Sequence, residues 1–420
     1  MDAESLSFVM VGHVDHGKST MIGRLLYDTG SLQEGKIEEI RAAAEADGRE
    51  MEFGNIMDHL SEERERGITI DTAQTFFSSD LRDYVIIDAP GHKEFIKNMI
   101  TGASQAEAVV LICSVAEGVQ EQTKRHAYVV KLLGLDQVLV AYNKMDLVDW
   151  DRQRFEDVRA DMRDFLGRLG VTPTLEVPMS AKCGDNVADR SENMPWYDGP
   201  TVLEGLDRFR KLPPPTEKPL RFPVQDVYQV DGAPMVAGRV ESGVLKSDTT
   251  LRFLPDDTPR RVLGIEQYPD GSLSAAEAGE CVGLRLDGDP PERGQVGCPP
   301  DDTPGLSTSF HGTVFWLAPE PLRLEEDDLV FKCATQERPC TVQELSVRMD
   351  SSTLERLPAD EGRLQETEVG EVVFRTREPV VLESFYDVQE LGRFVLERGH
   401  DVVAGGIVTH PEAQSAMQER

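Results

Sequence analysis

The 420-residue chain holds 76 acidic against 44 basic residues, a formal net charge of −32. Its length suits two to four domains, each with its own core, and its acidity disfavours DNA or general nucleic-acid binding, because phosphate backbones are repelled unless basic residues are segregated. Six cysteines without a CxxC pair or zinc-ligand spacing, an N-terminal MDAESLSF without an apolar core, and a longest apolar run of AVVLICSVA (108–116) read as a cytoplasmic protein with reduced thiols, neither secreted nor membrane-bound.

Up to about residue 211, short apolar strands alternate with amphipathic helices, which predicts a doubly wound parallel α/β sheet. The first strand, LSFVMVG, runs into GHVDHGKST (12–20). The spacing G-x4-G-K-[ST] predicts a phosphate-cradling loop: Gly12, His13, Val14, Asp15, His16 and Gly17, then a helix opening with Lys18, Ser19 and Thr20. Lys18 would reach the terminal phosphates and the Ser19 hydroxyl a magnesium ion. A long insertion, helical in part, leads to ERERGITI (63–70), which carries Thr69. The strand YVIIDA delivers DAPGH (88–92): Asp88 is placed to hold magnesium through water, Gly91 to donate its N–H to a γ-phosphate, and His92 to orient the attacking water. Val14 and Ile68 are candidates for an apolar gate over His92. AVVLICSVA predicts a buried strand, QVLVAYN ends in NKMD (143–146), and TLEVPMS ends in SAK (180–182).

Any one of these tetrapeptides is an ordinary loop. All of them at strand ends in this order describe a guanine-nucleotide site. The Asp146 carboxylate can accept two hydrogen bonds, from guanine N1–H and its exocyclic amine, whereas adenine would leave that carboxylate desolvated and unpaired. Asn143 is expected to bond the base and brace neighbouring loops, the Lys144 stem to lie over the ring, and the Ala181 N–H, between Ser180 and Lys182, to meet the base oxygen. The predicted cofactors are GTP and Mg2+. Lys18, Thr69 and His92 carry the hydrolytic chemistry, and Ser19, Thr69 and Asp88 the metal.

The run KLPPPTEKP (211–219) marks a linker. Beyond it, short alternating segments such as RFPVQDVYQV and TTLRFL are punctuated by Gly, Pro and Asp, which predicts antiparallel β-barrels. A second break at CPPDDTPGLS (298–307) gives domains at 1–212, 213–304 and 305–420. Cys333 and Cys340, close in sequence, either pair or lie apart as strand-borne core thiols; the second reading is preferred.

GHVDHGKST, RGITID, DAPGH, NKMD and SAK together resemble the translation-factor-type GTPases, the group of elongation factor Tu and elongation factor 1-alpha. That resemblance implies a GTPase domain followed by two β-barrels. Within the group, KMDLVDW (144–150), GDNVADRSENMPWYDGPTVLEGLDRF (184–209), PLRFPVQDVY (219–228) and FHGTVFWLAPEPL (310–322) look closest to the GTPase large subunit of bacterial sulfate adenylyltransferase. GRFVLERGHDVVAGGIV (392–408) suits the group in general. The implied function is GTP hydrolysis coupled to adenosine 5'-phosphosulfate synthesis from ATP and sulfate, with a catalytic small subunit as partner. The alternative is a translation elongation factor-like GTPase delivering aminoacyl-tRNA to the ribosome. The long insertion before RGITID and the GDN…NMPW stretch resemble elongation factor 1-alpha as well and do not discriminate, whereas His13 and His16 favour that alternative, since the sulfate-activating subunits commonly carry aspartates there. The acidity and the departures across residues 323–380 count against it.

Overall fold

A computed structural model describes residues 5–13, 15–32, 35, 53, 74–88, 106–211, 215–267, 271–325, 329–359 and 362–411. The chain forms two compact units that meet in sequence at Lys211 and Leu212. In the first unit, β1 (Ser5–Gly12), α1 (Lys18–Asp28), β2 (Gln74–Ser78), β3 (Asp83–Asp88), β4 (Ala108–Ser114), α2 (Glu121–Leu132), β5 (Val138–Asn143), α3 (Arg152–Arg168), β6 (Leu175–Pro178) and α4 (Val202–Asp207) follow in chain order. The sheet runs β2-β3-β1-β4-β5-β6. β1 pairs in parallel with β3 and β4, β5 with β4, and β6 with β5.

Every residue of β4 and β5 is buried, as strands covered on both faces by helices must be. One layer of the core packs Phe8, Ile86, Val110 and Ala141 against Met21, Ile22 and Leu25 of α1. α3 starts on Asp151, whose carboxylate accepts from Gln153 N, and α4 on a capping box of Thr201 and Glu204. One strand differs from the sequence expectation: β2 pairs antiparallel with β3, Gln74 opposite Ile87, so the sheet is parallel except at this edge. Its pattern is amphipathic, with Phe77 buried and Phe76 64 % exposed. The alternation that marks a half-buried edge is easily lost in a five-residue strand.

The parallel register brings the carboxyl ends to one rim. Met10 lies opposite Asp88, Gly12 opposite Ile112, Ser114 opposite Asn143, and Tyr142 opposite Pro178. The loops that follow β1, β4, β5 and β6 therefore open side by side, where an open α/β sheet binds its ligands.

The second unit is antiparallel β. Its first sheet runs Thr250–Leu254, Val296–Cys298, Phe222–Val230, Ala233–Arg239, Cys281–Leu286 and Thr258–Gln267, and closes by pairing Thr250 with Arg261. Its second runs Leu329–Cys333, Arg393–Arg398, Asp401–Pro411, Gly305–Trp316, Glu368–Leu382 and Gln336–Asp350, and closes by pairing Leu329 with Cys340. Closure removes the unpaired edges. Phe222, Val236, Phe253 and Leu284 fill the first barrel, while Phe310, Phe331, Phe374 and Phe394 stack in the second. Leu254, Val296 and Cys298 pack on Val381, Val388 and Leu391 between the barrels. Cys333 and Cys340 are free, buried core thiols on neighbouring strands.

Candidate functional site

Two glycines set the shape of the loop after β1. At Gly12 an added Cβ would lie 2.4 Å from the Ile112 carbonyl oxygen, on the neighbouring strand. Gly17 is the left-handed N-cap of α1, φ 93°, and a Cβ there would lie 2.4 Å from Asn143 Nδ2. Asp15 is also left-handed, φ 63°. Lys18 folds back over the loop and donates from Nζ to the carbonyl oxygens of Gly12 (2.9 Å) and His13 (3.2 Å). α1 has no side-chain cap, and the first N–H groups of a helix lack intrahelical acceptors. Ser19 is exposed and Thr20 half-buried. A narrow cradle with no room for a Cβ, uncapped amides and a poised ammonium is a donor set that fits a chain of phosphates.

The loops after β5 and β6 are locked to that cradle. Asn143, 3 % exposed, donates from Nδ2 to His16 O (2.8 Å) and accepts at Oδ1 from Ala181 N (2.9 Å). One amide thus ties three loops together. Lys144 is held left-handed, φ 66°. Asp146 accepts at Oδ1 from Ser180 Oγ (2.6 Å), and Ser180 Oγ accepts from Cys183 N (3.1 Å). Lys182 is exposed beside them. Behind this pair stands a brace. Trp150 donates from Nε1 to Asp185 (2.9 Å), Asn186 donates to Pro178 O (2.8 Å), and Trp196 donates to Trp150 O (3.2 Å).

Burial lowers the pKa of two histidines, His16 and His126. His16 is fully buried and its pKa falls to about 4, mainly by desolvation. Its Nδ1 lies 3.4 Å from the Ile112 carbonyl oxygen, an acceptor only, which places the proton of the neutral ring on Nδ1. The His13 and His16 rings meet edge to face at 5.0 Å. His126, buried in α2, is pushed down to about 3 by the same desolvation.

The sequence singled out Gly12, His13, Asp15, His16, Gly17, Lys18, Ser19, Thr20, Asn143, Lys144, Asp146, Ser180, Ala181 and Lys182, and these lie at the ends of β1 and β5, in the loops that follow β1, β5 and β6, and in the first turn of α1. Asp88 ends β3, but its side chain is outside the described residues, as are Val14, Ile68, Thr69, Gly91 and His92. Of the three expected metal ligands only the Ser19 side chain is described. One group escaped the sequence reading: Glu117, after β4, pairs with Lys144 at 2.9 Å. Its position beyond the end of a central strand is the signal that could have found it.

The chain matches the elongation factor Tu GTP binding domain over residues 3–221 and the GTP-eEF1A C-terminal domain-like family over residues 309–409. It belongs to the translation-factor GTPases. Among its relatives, elongation factor 1-alpha of Halobacterium salinarum is 39 % identical, covering 98 % of this chain and 100 % of that protein. Elongation factor 1-alpha of Methanopyrus kandleri is 40 % identical over 98 % of this chain and 99 % of its own length. That of Natronomonas pharaonis is 39 % identical over 97 % and 98 %.

These full-length likenesses within the translation-factor GTPases overturn the expectation of a sulfate adenylyltransferase large subunit. The expected catalytic small subunit falls with it. KMDLVDW and GDNVADRSENMPW, two of the four stretches on which that finer resemblance rests, hold the brace of Trp150, Asp185, Asn186 and Trp196 behind the loops after β5 and β6. A brace supports a nucleotide site whatever process the GTPase serves.

Proposed function

We propose that this chain is a magnesium-dependent elongation GTPase that binds aminoacyl-tRNA when loaded with GTP and delivers it to the ribosome in the cytoplasm. The observation that carries this reading is the near-identical length of the elongation factor 1-alpha relatives, matched through both barrels as well as the GTPase domain. The acidity does not weigh against it. Net charge speaks to solubility and long-range steering, whereas RNA is gripped by local side chains.

In this reading the amides from Gly17 to Thr20 and the Lys18 ammonium hold the phosphates, so Lys18 must leave the Gly12 and His13 carbonyls for them. Asp146, held by Ser180, accepts from the guanine edge. Ala181 N–H, set by Asn143, meets the base oxygen, and the Lys144 stem covers the ring. Ser19, Thr69 and Asp88 fit a magnesium ion in chemistry, being two hydroxyls and a carboxylate; bound there, it would neutralise charge on the phosphates. Thr69 and Gly91 would sense the γ-phosphate and order their segments around it. His92 would orient the hydrolytic water, a positioning task.

Ribosome-stimulated hydrolysis tests this reading. GTP turnover by the purified chain should be slow alone and rise by orders of magnitude with ribosomes and aminoacyl-tRNA. A turnover unchanged by ribosomes would overturn it.

A further inference from the structure

The loop after β4 carries no recognised nucleotide motif, yet it reaches both halves of the site. Val115 N donates to Asn143 O (2.9 Å), Gly118 N to Ser114 O (2.8 Å), and Arg154 of α3 to Ala116 O (3.1 Å). That framework fixes the backbone on either side of Glu117. Its carboxylate then makes two approaches: Oε1 accepts from Lys144 Nζ at 2.9 Å, and Oε2 lies 3.7 Å from Nε2 of the buried His16. His16 is neutral, so it offers Glu117 no charge, and Nε2 makes no hydrogen bond. The Lys144 ammonium is the cation that engages this carboxylate, and it holds the carboxyl below the usual carboxylate range.

Lys144 itself needs a restraint. A non-glycine residue in the left-handed region costs free energy and persists where its surroundings over-determine it. Its backbone is fixed between Asn143, which ties the loops, and Asp146, which is tied to Ser180. Its side chain has four rotatable bonds and would otherwise sample many positions. We infer that Glu117 is a positioning residue for the guanine nucleotide, clamping the Lys144 ammonium so that its methylene stem stays over the base while Asp146 reads the edge. This inference rests on the guanine-nucleotide reading of the site. As a half-exposed ion pair the contact adds little to folding stability, so its effect belongs to ligand retention.

The test measures dissociation of a fluorescent GDP and of the matching inosine diphosphate from four full-length chains: wild type, Glu117→Gln, Lys144→Met and the double variant. Glu117→Gln should release GDP about three- to tenfold faster than wild type. The factor should be the same for inosine diphosphate, since Lys144 contacts the ring face and not the exocyclic amine. In the Lys144→Met background, Glu117→Gln should add less than about 1.5-fold. An undiminished effect there would show that the substitution damages the loop rather than the clamp, and would overturn the inference. So would an unchanged release rate from Glu117→Gln when wild type binds GDP. Failure of the wild type to bind GDP would overturn the guanine reading as well, and is separately visible.

Discussion

At the residue scale the site is a set of tightly constrained groups. Asp146 is already held at one oxygen by Ser180, and replacing its charge with an amide removes an acceptor and adds a donor. Asp146→Asn should weaken GDP binding by about a hundredfold or more, and xanthosine diphosphate, whose extra carbonyl suits a donor, should become the better ligand. Competition between the two diphosphates for a fluorescent reporter checks this; retained preference for GDP would remove Asp146 from base recognition. Gly17→Ala meets two obstacles, a left-handed backbone and a Cβ 2.4 Å from Asn143 Nδ2. The displaced Asn143 would lose its bond to His16 or to Ala181, each worth roughly 1 kcal/mol. Calorimetry should show GDP affinity down by at least tenfold. The sequence marks these residues as candidates because phosphate and guanine would each demand particular side chains at fixed spacing, and the structure brings their loops together. Glu117 stands out far less, because one acid among 76 is marked only by its place beyond the end of β4, and its partner Lys144 is set beside it by the fold.

At the scale of elements, the second unit holds ion pairs inside its seam. Arg221 is 2 % exposed, donating to Glu383 at 2.6 and 2.8 Å and to the Asp302 carbonyl oxygen at 2.9 Å. Arg221→Ala leaves a partly buried carboxylate without its cation, a loss of roughly 3–5 kcal/mol. The urea transition that exposes Trp316 should move to lower concentration, and an unmoved transition would show that the pair holds nothing together. Glu241 acts in the opposite sense. Burial pushes its pKa up to about 7, Glu390 adds to the shift and Arg239 opposes it. The folded value lies above the unfolded one, so the contribution to stability is complete below about pH 4.5 and is lost as pH rises through 7. Glu241→Gln should therefore raise the melting temperature at pH 8 by the equivalent of about 1–3 kcal/mol and lose that advantage by pH 5. A gain independent of pH would contradict the assignment. Strands of high internal apolarity, β4 and β5, announce themselves in sequence. β2 does not, being five residues long with one face in solvent. The closures of the barrels, Thr250 to Arg261 and Leu329 to Cys340, are hairpins across short turns; the pairings that no local pattern links join distant strands, such as Phe222 with Gly297 and Phe310 with Phe374.

At the scale of the whole molecule, the architecture of a GTPase domain and two barrels was legible because alternating βα periodicity gives way to short alternating strands at KLPPPTEKP. Neither net charge nor the brace of Trp150, Asp185, Asn186 and Trp196 decides the subfamily. Net charge is not the local field at an RNA-binding surface, and the brace supports the loops after β5 and β6 whatever process the GTPase serves. His13 and His16 favour the elongation-factor alternative, and His16 is buried and neutral in the loop after β1. No helix among the described residues is long and apolar enough to cross a membrane.

The measurement that bears most directly on tRNA delivery is the lifetime of the ester bond of aminoacyl-tRNA mixed with this chain. With a non-hydrolysable GTP analogue bound, spontaneous deacylation should slow by about tenfold or more, and with GDP it should proceed at the rate of free aminoacyl-tRNA. Equal deacylation in the two states, from a chain shown to hold both nucleotides, would contradict delivery.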